Sequence, residues 1–479
     1  LEQIDAGTSQ FDNTGYTMKN ALRSYLARAN YAYNHKYLFT GSFRRDGSSR
    51  FGPANKYGNF VSASVGWLLS EESFFKSIPL LGSHSDYMKL RASRGKLGNQ
   101  DIGDYQYAAA IVANQSYPFG NNDIAVGQTQ LSLANPGIRW QDNTQTNVGL
   151  DINFLNSRLA LTADYYVSES GGLLVRAPLP WSLGSLESPY VNAGSVQNKG
   201  FEFSGTLRQK VGGVDLDIGA NLTTVRNKVT ALGNGGQPIF AGTFNVARTT
   251  VGSEIGHFFV LKTDGLFQSA AEVTAHGAQP SAQPGDVRFV DLNKDGLIND
   301  LDRYDAGSAV PNFEGGFSLD AKYHRLDFGV TMRGSQGAKI FNVAKYWSDR
   351  MDEGSNYRKD LNPWTPSNTS TNDPRAVWGP AGNDNKREFS DRWIESGSYL
   401  RIQRLTLGYE LPANLLQRLR IGEGSTRAYL SIQNLHTFTG YSNWDPEALG
   451  FDDPLARGID DGRIYPNPRT VTFGLDVRM

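Results

Sequence analysis

The chain has 479 residues, no cysteine and a formal net charge of −1 from 47 basic and 48 acidic side chains. This balance argues against a nucleic-acid-binding protein, which needs a basic surplus. The lack of cysteine excludes disulfides and thiolate metal sites. No apolar run reaches the ~18 residues of a transmembrane helix, whereas a membrane β-barrel stays possible because only every second strand residue faces lipid. Since Leu1 is neither an initiator methionine nor part of a signal peptide, we expect a longer precursor.

Long segments of the chain alternate between apolar and polar residues with a period of two, which is typical of strands with one apolar face. The clearest examples are 158–168, 199–209, 324–334 and 470–479. Alternation by itself leaves two readings open, a soluble β-sandwich and a membrane barrel. These segments match the ~9–11 residues that a tilted strand needs to cross a bilayer and exceed the ~5–6 residues usual in soluble strands. Strand length therefore favours the membrane barrel.

The connections between predicted strands sort into long and short ones. About 15 strands are predicted, near 20–33, 36–46, 58–69, 87–97, 141–154, 158–168, 194–209, 214–229, 239–250, 257–267, 313–322, 324–334, 398–410, 425–439 and 470–479. Long outer loops are predicted at 47–57, 98–140, 169–193, 230–238, 268–312, 335–397 and 440–469. Short inner turns are predicted at 34–35, 70–86, 155–157, 210–213, 251–256, 323–324 and 411–424, two of them with short helices at 71–76 and 413–419.

Strict alternation of long and short connections is a property of outer-membrane barrels, whose periplasmic turns are short and whose outer loops are long. The loops of a sandwich would not sort by side in this way. The predicted fold class is therefore all-β: a large antiparallel up-and-down transmembrane β-barrel, present in part, with a periplasmic C-terminus. The predicted organisation is a single unit over 1–479.

The predicted outer loop 335–397 contains Trp347, Trp364, Trp378 and Trp393. Exposed tryptophan rings suit the capture of carbohydrate or peptide by stacking. The alternative is that each ring packs into the core of its own loop. The sequence leaves both interpretations open for each tryptophan.

Residues 291–302 read DLNKDGLINDLD and match a calcium loop of the D-x-[DN]-x-[DN]-G type. The predicted metal ligands are the side chains of Asp291, Asn293, Asp295, Asn299 and Asp302 and the carbonyl of Leu297. Gly296 allows the tight turn, and Ile298 is expected to anchor the loop in an apolar contact. An aspartate at the last position, where glutamate is usual, predicts weak binding. A plain Asx-turn loop without metal is the alternative.

Motifs for catalysis are missing from the sequence. Its six histidines form no H-E-x-x-H, and there is no G-x-S-x-G nucleophile elbow. The paired acidic residues of the loops are more typical of solvated charges than of the acid and base of a glycosidase. We therefore do not expect an enzyme.

Several stretches together resemble the SusC/RagA family of TonB-linked outer-membrane transporters. They read YLFTGSFRRDGSSRF (37–51), GWLLSEESFF (66–75), GDVRFVDLNKDGLINDLDR (285–303), SYLRIQRLTLGYELP (398–412), RAYLSIQNLHTFTGYSNWDPE (427–447) and YPNPRTVTFGLDV (465–477). The resemblance implies a 22-stranded barrel with an internal plug, driven by TonB, with a SusD-like surface lipoprotein as its lid. It also implies oligosaccharide or peptide cargo.

The sequence departs from the family pattern in two ways. It lacks the plug and the N-terminal region that contacts TonB, so we expect it to supply about 15 of the 22 barrel strands that the resemblance implies. It also ends in Met479, where family members usually have an aromatic residue. The rival hypothesis is a calcium-stabilised surface adhesin or binding protein built from soluble β-domains. The two hypotheses differ in where the apolar strand faces lie, against lipid or against a second sheet.

Overall fold

A computed structural model describes residues 17–478 of the chain apart from short segments. The segments left out are 80, 110, 121–122, 177–181, 183–186, 188, 234, 352–355, 379–384, 386, 388, 413–424, 448–452 and 464. The predicted helix at 413–419 lies outside the described residues. The other helix predicted in an inner turn, at 71–76, is replaced by two single 3₁₀ turns, Leu69–Glu71 and Phe75–Ser77.

A large antiparallel sheet, called the wall here, dominates the described part of the chain. Its strands are β1 Leu22–Tyr33, β2 Tyr37–Ser48, β3 Tyr57–Leu68, β4 Ser85–Asn99, β5 Gln141–Phe154, β6 Leu159–Gly171, β7 Ser195–Val211, β8 Val214–Thr224, β9 Phe313–Tyr323, β10 Leu326–Gln336, β11 Tyr399–Glu410, β12 Ser425–Thr439 and β13 Thr470–Arg478. Each strand pairs with the next along the chain, and a short extension, Arg226–Ala231, also pairs with β7. The predicted up-and-down order is confirmed.

The wall is an open sheet rather than a closed ring. Its path begins at β1 and ends at β13, and these two strands do not pair with each other. Closing a sheet into a barrel removes its edges, so each edge strand needs a further neighbour. The structure therefore agrees with the prediction of a partial barrel.

The strand register places the apolar residues of neighbouring strands on one face of the wall. Tyr165 of β6 lies opposite Phe201 of β7, and Leu430 of β12 lies opposite Phe473 of β13. Phe201 is 50% exposed and Phe473 is 80% exposed. A face this apolar and this exposed needs lipid to cover it. Within the part of the chain that the structure describes, no second sheet packs on these residues, as a soluble sandwich would require.

Two strands predicted for the wall are wrong. Residues 239–250 and 257–267 instead form short strands in one long outer connection between β8 and β9. These strands are Ile239–Ala241, Ala247–Thr249, His257–Leu261 and Thr263–Leu266, in sheets that also contain Val287–Phe289 and Arg303–Asp305. The predicted inner turn at 251–256 and outer loops at 230–238 and 268–312 therefore merge. Because the wall loses an even number of predicted strands, every other connection keeps its predicted outer or inner side.

The remaining elements also lie in connections. The other short strands are Ile111–Phe119, Asp123–Gln130, Leu174–Arg176, Tyr190–Asn192, Lys339–Asn342, Ile394–Ser396 and Ile459–Asp460. The helices are α1 Leu81–His84, α2 Ala270–His276 and α3 Val343–Asp349, and 3₁₀ turns occur at Thr243–Asn245, Asp300–Asp302, Asp391–Trp393 and Pro454–Ala456. Within the described ranges, none of the helices has the length and apolarity to cross a membrane.

Candidate functional site

The face of the wall opposite the apolar one is lined with charges that pair across strands. Arg91 of β4 lies between Asp151 of β5 and Asp164 of β6, with N–O distances of 3.0 and 2.5 Å. A Cβ at Gly149 would lie 2.3 Å from the Asp164 carboxylate, so any larger residue there would displace this ion pair. Polar side chains therefore hold three neighbouring strands together on this face.

A second ion-pair group lies further along the same face. The Nε atom of Arg427 lies 2.7 Å from Asp327 Oδ1, and its Nη1 atom lies 3.4 Å from Asp476 Oδ2. A groove of about 350 Å³ opens beside Arg427 and is also lined by Asp320 and Arg404. The polar face thus offers both charges and hydrogen-bonding groups to a solute that passes along it.

A buried cluster of ion pairs anchors the connection 440–469 to the outer end of the wall. Arg401 of β11 is 5% exposed. Its guanidinium contacts Glu447 and lies 2.6 Å from Asp445. Burial opposes ionisation, but hydrogen bonds from the Glu447 N–H, from Arg401 and from the Asn467 amide outweigh it and lower the pKa of Asp445. The connection is therefore fixed over the polar face.

A β-bulge makes this anchorage possible. The pairing of β10 with β11 shifts between Ile402 and Arg404, so that Arg401 lies opposite Arg333 and Arg404 lies opposite Thr331. Residues two apart in β10 share a face, and the extra residue in β11 therefore brings both arginines to that same face. Arg333 also reaches Glu447 at 3.3 Å.

Three outer connections share one hydrophobic core. Phe258 comes from the connection 225–312, Phe341 and Tyr346 from 337–398, and Ile459 from 440–469; each is at most 2% exposed. Lys339–Asn342 pairs with Ile459–Asp460 and with Ile394–Ser396. We call this assembly of 225–312, 337–398 and 440–469 the outer body. Because it has its own core and sheets, it is a folded unit rather than a set of independent loops.

Some tryptophans of the outer body pack in its core, and others are exposed where they could stack on a ligand. Trp393 is 1% exposed in the shared core, and Trp364 is buried against a second cluster. Trp378 is 74% exposed, and Trp347 is half-exposed. Trp444, which lies outside the predicted loop 335–397, is also exposed. Trp378 and Trp444 are therefore the rings of this group most available to a ligand.

The predicted calcium loop has a compact fold in the outer body. Asp291 accepts hydrogen bonds from the N–H groups of Lys294 and Gly296, at 2.7 and 2.9 Å. The Asn293 amide donates to Asp295 Oδ2 at 2.9 Å, and Asn299 is 3.5 Å from the same oxygen. Gly296 has a φ of +83°, as the tight turn requires.

Asp302, the last predicted ligand, is fully buried. It accepts hydrogen bonds from the N–H groups of Leu292, Asn293 and Asn299. The predicted anchor is confirmed, because Ile298 packs against the cluster that contains Trp364. In the described ranges, no group of three or more His, Cys, Asp or Glu side chains is placed to share a metal ion. Calcium binding by Asp291, Asn293, Asp295, Leu297, Asn299 and Asp302 stays a prediction.

Comparisons with known proteins identify the family. A family model described as TonB dependent receptor-like, beta-barrel, matches residues 3–435. The chain is 33% identical over 492 residues to TonB-dependent receptor P3 of Formosa agariphila, covering 99% of the chain and 47% of the relative. It is 29% identical over 483 residues to the TonB-dependent receptor SusC of Bacteroides thetaiotaomicron, covering 98% of the chain and 44% of the relative.

Solved structures share the fold. The RagAB peptide transporter superposes with a TM-score of 0.79 at 23% identity, over 96% of this chain and 47% of that chain. The chain thus spans about half the length of the curated relatives it matches. An open wall with an exposed apolar face and a polar face is what part of such a barrel would show. The chain therefore belongs to the TonB-dependent receptor β-barrel family, in its SusC/RagA group, whose members are outer-membrane proteins of Gram-negative bacteria.

Proposed function

We propose that this chain forms part of an outer-membrane importer of large polar nutrients, namely oligosaccharides or peptides. Its relatives are TonB-dependent receptors, and the related fold includes a peptide transporter. The paired charges on the polar face suit a water-filled lumen, in which polar cargo replaces the hydrogen bonds of water. We also propose that the chain has no enzymatic activity, because its family is one of transporters.

The observation that carries this proposal is the attachment of the outer body to the polar face of the wall, the face that would line the lumen. Arg401 binds Asp445 and Glu447 on that face, so the connection 440–469 leans over the lumen rather than away from it. The exposed rings of Trp378 and Trp444 belong to the same body. Stacking of such rings on sugar or peptide planes would hold cargo at the mouth of the barrel.

The proposed partners follow from the family. A SusD-like surface lipoprotein would close over the outer body, and TonB would act through segments that this chain does not contain. The relatives are about twice as long as the chain, which leaves room for those segments. The rival adhesin hypothesis fits poorly, because soluble β-domains would bury the apolar strand faces that are exposed here.

Growth of the native bacterium tests the function. Deleting the gene should abolish growth on at least one oligosaccharide or peptide supplied as sole carbon source, and the wild-type gene should restore it. Replacing both Trp378 and Trp444 with alanine should weaken cargo binding by about thirtyfold, because the two stacked rings together contribute roughly 2 kcal/mol. The matched control is Phe201→Ala, an exposed ring on the lipid face, which should bind cargo normally. Unchanged growth of the deletion strain on every oligosaccharide and peptide tested would contradict the proposal.

We further propose that loop 291–302 binds calcium, as its sequence motif predicts. Its support is the contact of the Asn293 and Asp295 side chains inside a tight turn. Hydrogen bonds from the Asn293 amide and the Leu297 N–H lower the pKa of Asp295, so this carboxylate carries the negative charge that attracts a cation. Bound calcium would stabilise the outer body where Ile298 packs on it.

A further inference from the structure

Aromatic residues form a belt on the lipid face at the end of the wall that carries the short turns. Tyr37 of β2 stacks between Tyr33 of β1 and Trp67 of β3, with ring centroids 6.4 and 6.3 Å apart. The side of the short turns in outer-membrane barrels is periplasmic. Aromatic belts mark the level of the lipid headgroups. The belt therefore lies at the inner leaflet.

Glu72, in the inner turn after β3, places a carboxylate at this belt. Its Oε1 atom accepts hydrogen bonds from the Tyr37 hydroxyl at 2.7 Å and from Trp67 Nε1 at 3.1 Å. Its Oε2 atom lies 3.2 Å from Lys36 Nζ. Hydrogen bonds from Tyr37, Trp67 and Lys36 lower the pKa of Glu72, so the group is ionised beside a cation.

The two charged groups retain hydrogen-bonding capacity. The Lys36 ammonium carries three donors, and one of them serves Glu72. Glu72 Oε2 accepts that one hydrogen bond and has a further lone pair. The pair therefore offers a positively charged hydrogen-bond donor beside a negatively charged hydrogen-bond acceptor. The net charge of the pair is zero.

An apolar groove on the lipid face adjoins this pair through Tyr37 and Trp67, whose rings line the groove and bind Glu72. Its volume is about 530 Å³, and besides the three rings of the belt it is lined by Tyr31, Phe39, Val65 and Val148. The register β1–β2–β3–β4–β5 brings these side chains into adjacent rows on one face. An apolar groove that adjoins a charged pair at headgroup level matches the polarity of a phospholipid, with its charged headgroup and apolar chains.

We propose that Lys36, Glu72 and the adjoining groove bind one zwitterionic aminophospholipid of the inner leaflet. The phosphate would accept hydrogen bonds from Lys36, and the ammonium of the headgroup would donate to Glu72. One acyl chain would lie in the groove. An anionic lipid without an amine satisfies only Lys36 and is repelled by Glu72, which makes the pair selective for a zwitterion. This inference rests on the outer-membrane location of the family and not on the transport activity.

Lipid retention by the purified full-length protein tests the proposal. The protein is exchanged into nanodiscs that contain equal amounts of phosphatidylethanolamine and phosphatidylglycerol, then extracted in mild detergent for native mass spectrometry. We expect the wild type to retain one phosphatidylethanolamine in preference to phosphatidylglycerol by about fivefold, the scale of one partly exposed charge contact. Glu72→Gln should remove the preference for the amine, and Lys36→Met should lower retention of both lipids.

The matched control is an ion pair at the same end of the wall on the opposite face. Lys322 and Glu410 lie 3.7 Å apart there, and Lys322→Met with Glu410→Gln should leave lipid retention unchanged. Heat-dependent gel mobility of each variant shows whether the barrel is folded. If a folded Glu72→Gln variant keeps the wild-type preference, or if the wild type retains both lipids equally, the proposal is wrong. Transport need not be measured, so this result is independent of the proposed function.

Discussion

At the scale of single residues, charge pairing decides how the outer body is held. The guanidinium of Arg401 is buried, and its partners lie 44 and 46 residues further along the chain. Removing one member of a buried ion pair leaves the others without compensation, which costs more than the pair itself contributes. Arg401 is therefore the residue whose loss should release the connection 440–469.

Arg401→Ala should free the connection 440–469 without unfolding the wall. Loss of this buried partner costs about 3 kcal/mol. Because cleavage follows the population of the open form, chymotrypsin should then cut the connection about a hundredfold faster. Cleavage is followed on intact cells, with mass spectrometry to place the cut. Arg401→Lys should give an intermediate rate, because lysine keeps the charge but loses the paired contacts.

The control for this experiment is Arg208→Ala. Arg208 is also a wall arginine, but its side chain is 74% exposed in its pair with Asp217. Exposed pairs contribute little to stability, so this variant should be cut at the wild-type rate. Equal cleavage of Arg401→Ala and wild type would show that Arg401 does not anchor the connection.

At the scale of elements, the same local pattern led to correct predictions for some strands and wrong predictions for others. Period-two alternation predicted β5 and β12 with the bounds that the structure shows, 141–154 and 425–439. It also predicted a wall strand at 257–267, which belongs to the outer body. There Phe258, Val260 and Leu261 are all fully buried, so neither face of this strand is exposed. A wall strand has one apolar face exposed to lipid, whereas a strand of the outer body is covered on both faces by other connections. The local sequence does not record which segments cover a strand.

The calcium loop is the element whose ligand binding is open to a direct test. Asp291→Ala with Asp295→Ala should abolish calcium binding by the full-length protein, measured by calorimetry. The wild-type Kd should fall in the range of extracellular calcium modules, about 0.1–1 mM. The stability of the wall should not change, because the loop lies outside its strand ladder.

Lys294→Ala supplies the control within the same loop, because Lys294 is no predicted ligand. It should bind calcium as the wild type does. If calorimetry detects no binding to the wild type up to tens of millimolar calcium, the calcium proposal is wrong. The segment is then an Asx-turn loop held by its own hydrogen bonds. Binding that survives the double substitution would place the ion elsewhere.

At the scale of the whole molecule, the sides of the connections determine how the chain sits in the membrane. Asp360 lies in the outer body with a side chain 71% exposed, and Glu71 is exposed in an inner turn. The chain has no cysteine of its own. Asp360→Cys should therefore react with a membrane-impermeant maleimide on intact cells, and Glu71→Cys should react only after the outer membrane is permeabilised. Labelling in the opposite order would invert the topology.

The sequence by itself determined the up-and-down order of the wall and the location of the protein. Strand length, alternation and the sorting of long and short connections are local or sequential properties, and they follow from the thickness and dryness of a bilayer. The family resemblance and the anchoring role of Ile298 were also readable from local motifs. The apolar strand faces need lipid to cover them, and this requirement does not depend on how the outer connections fold.

The tertiary structure alone decided how the outer connections assemble. It merged two predicted wall strands into the outer body, buried Trp364 and Trp393 while leaving Trp378 exposed, and joined Arg401 to Asp445. These outcomes depend on contacts between segments far apart in the chain, and no local period records them. A tryptophan in a loop can stack on cargo or fill a core, and only the neighbours supplied by other connections determine which of the two it does.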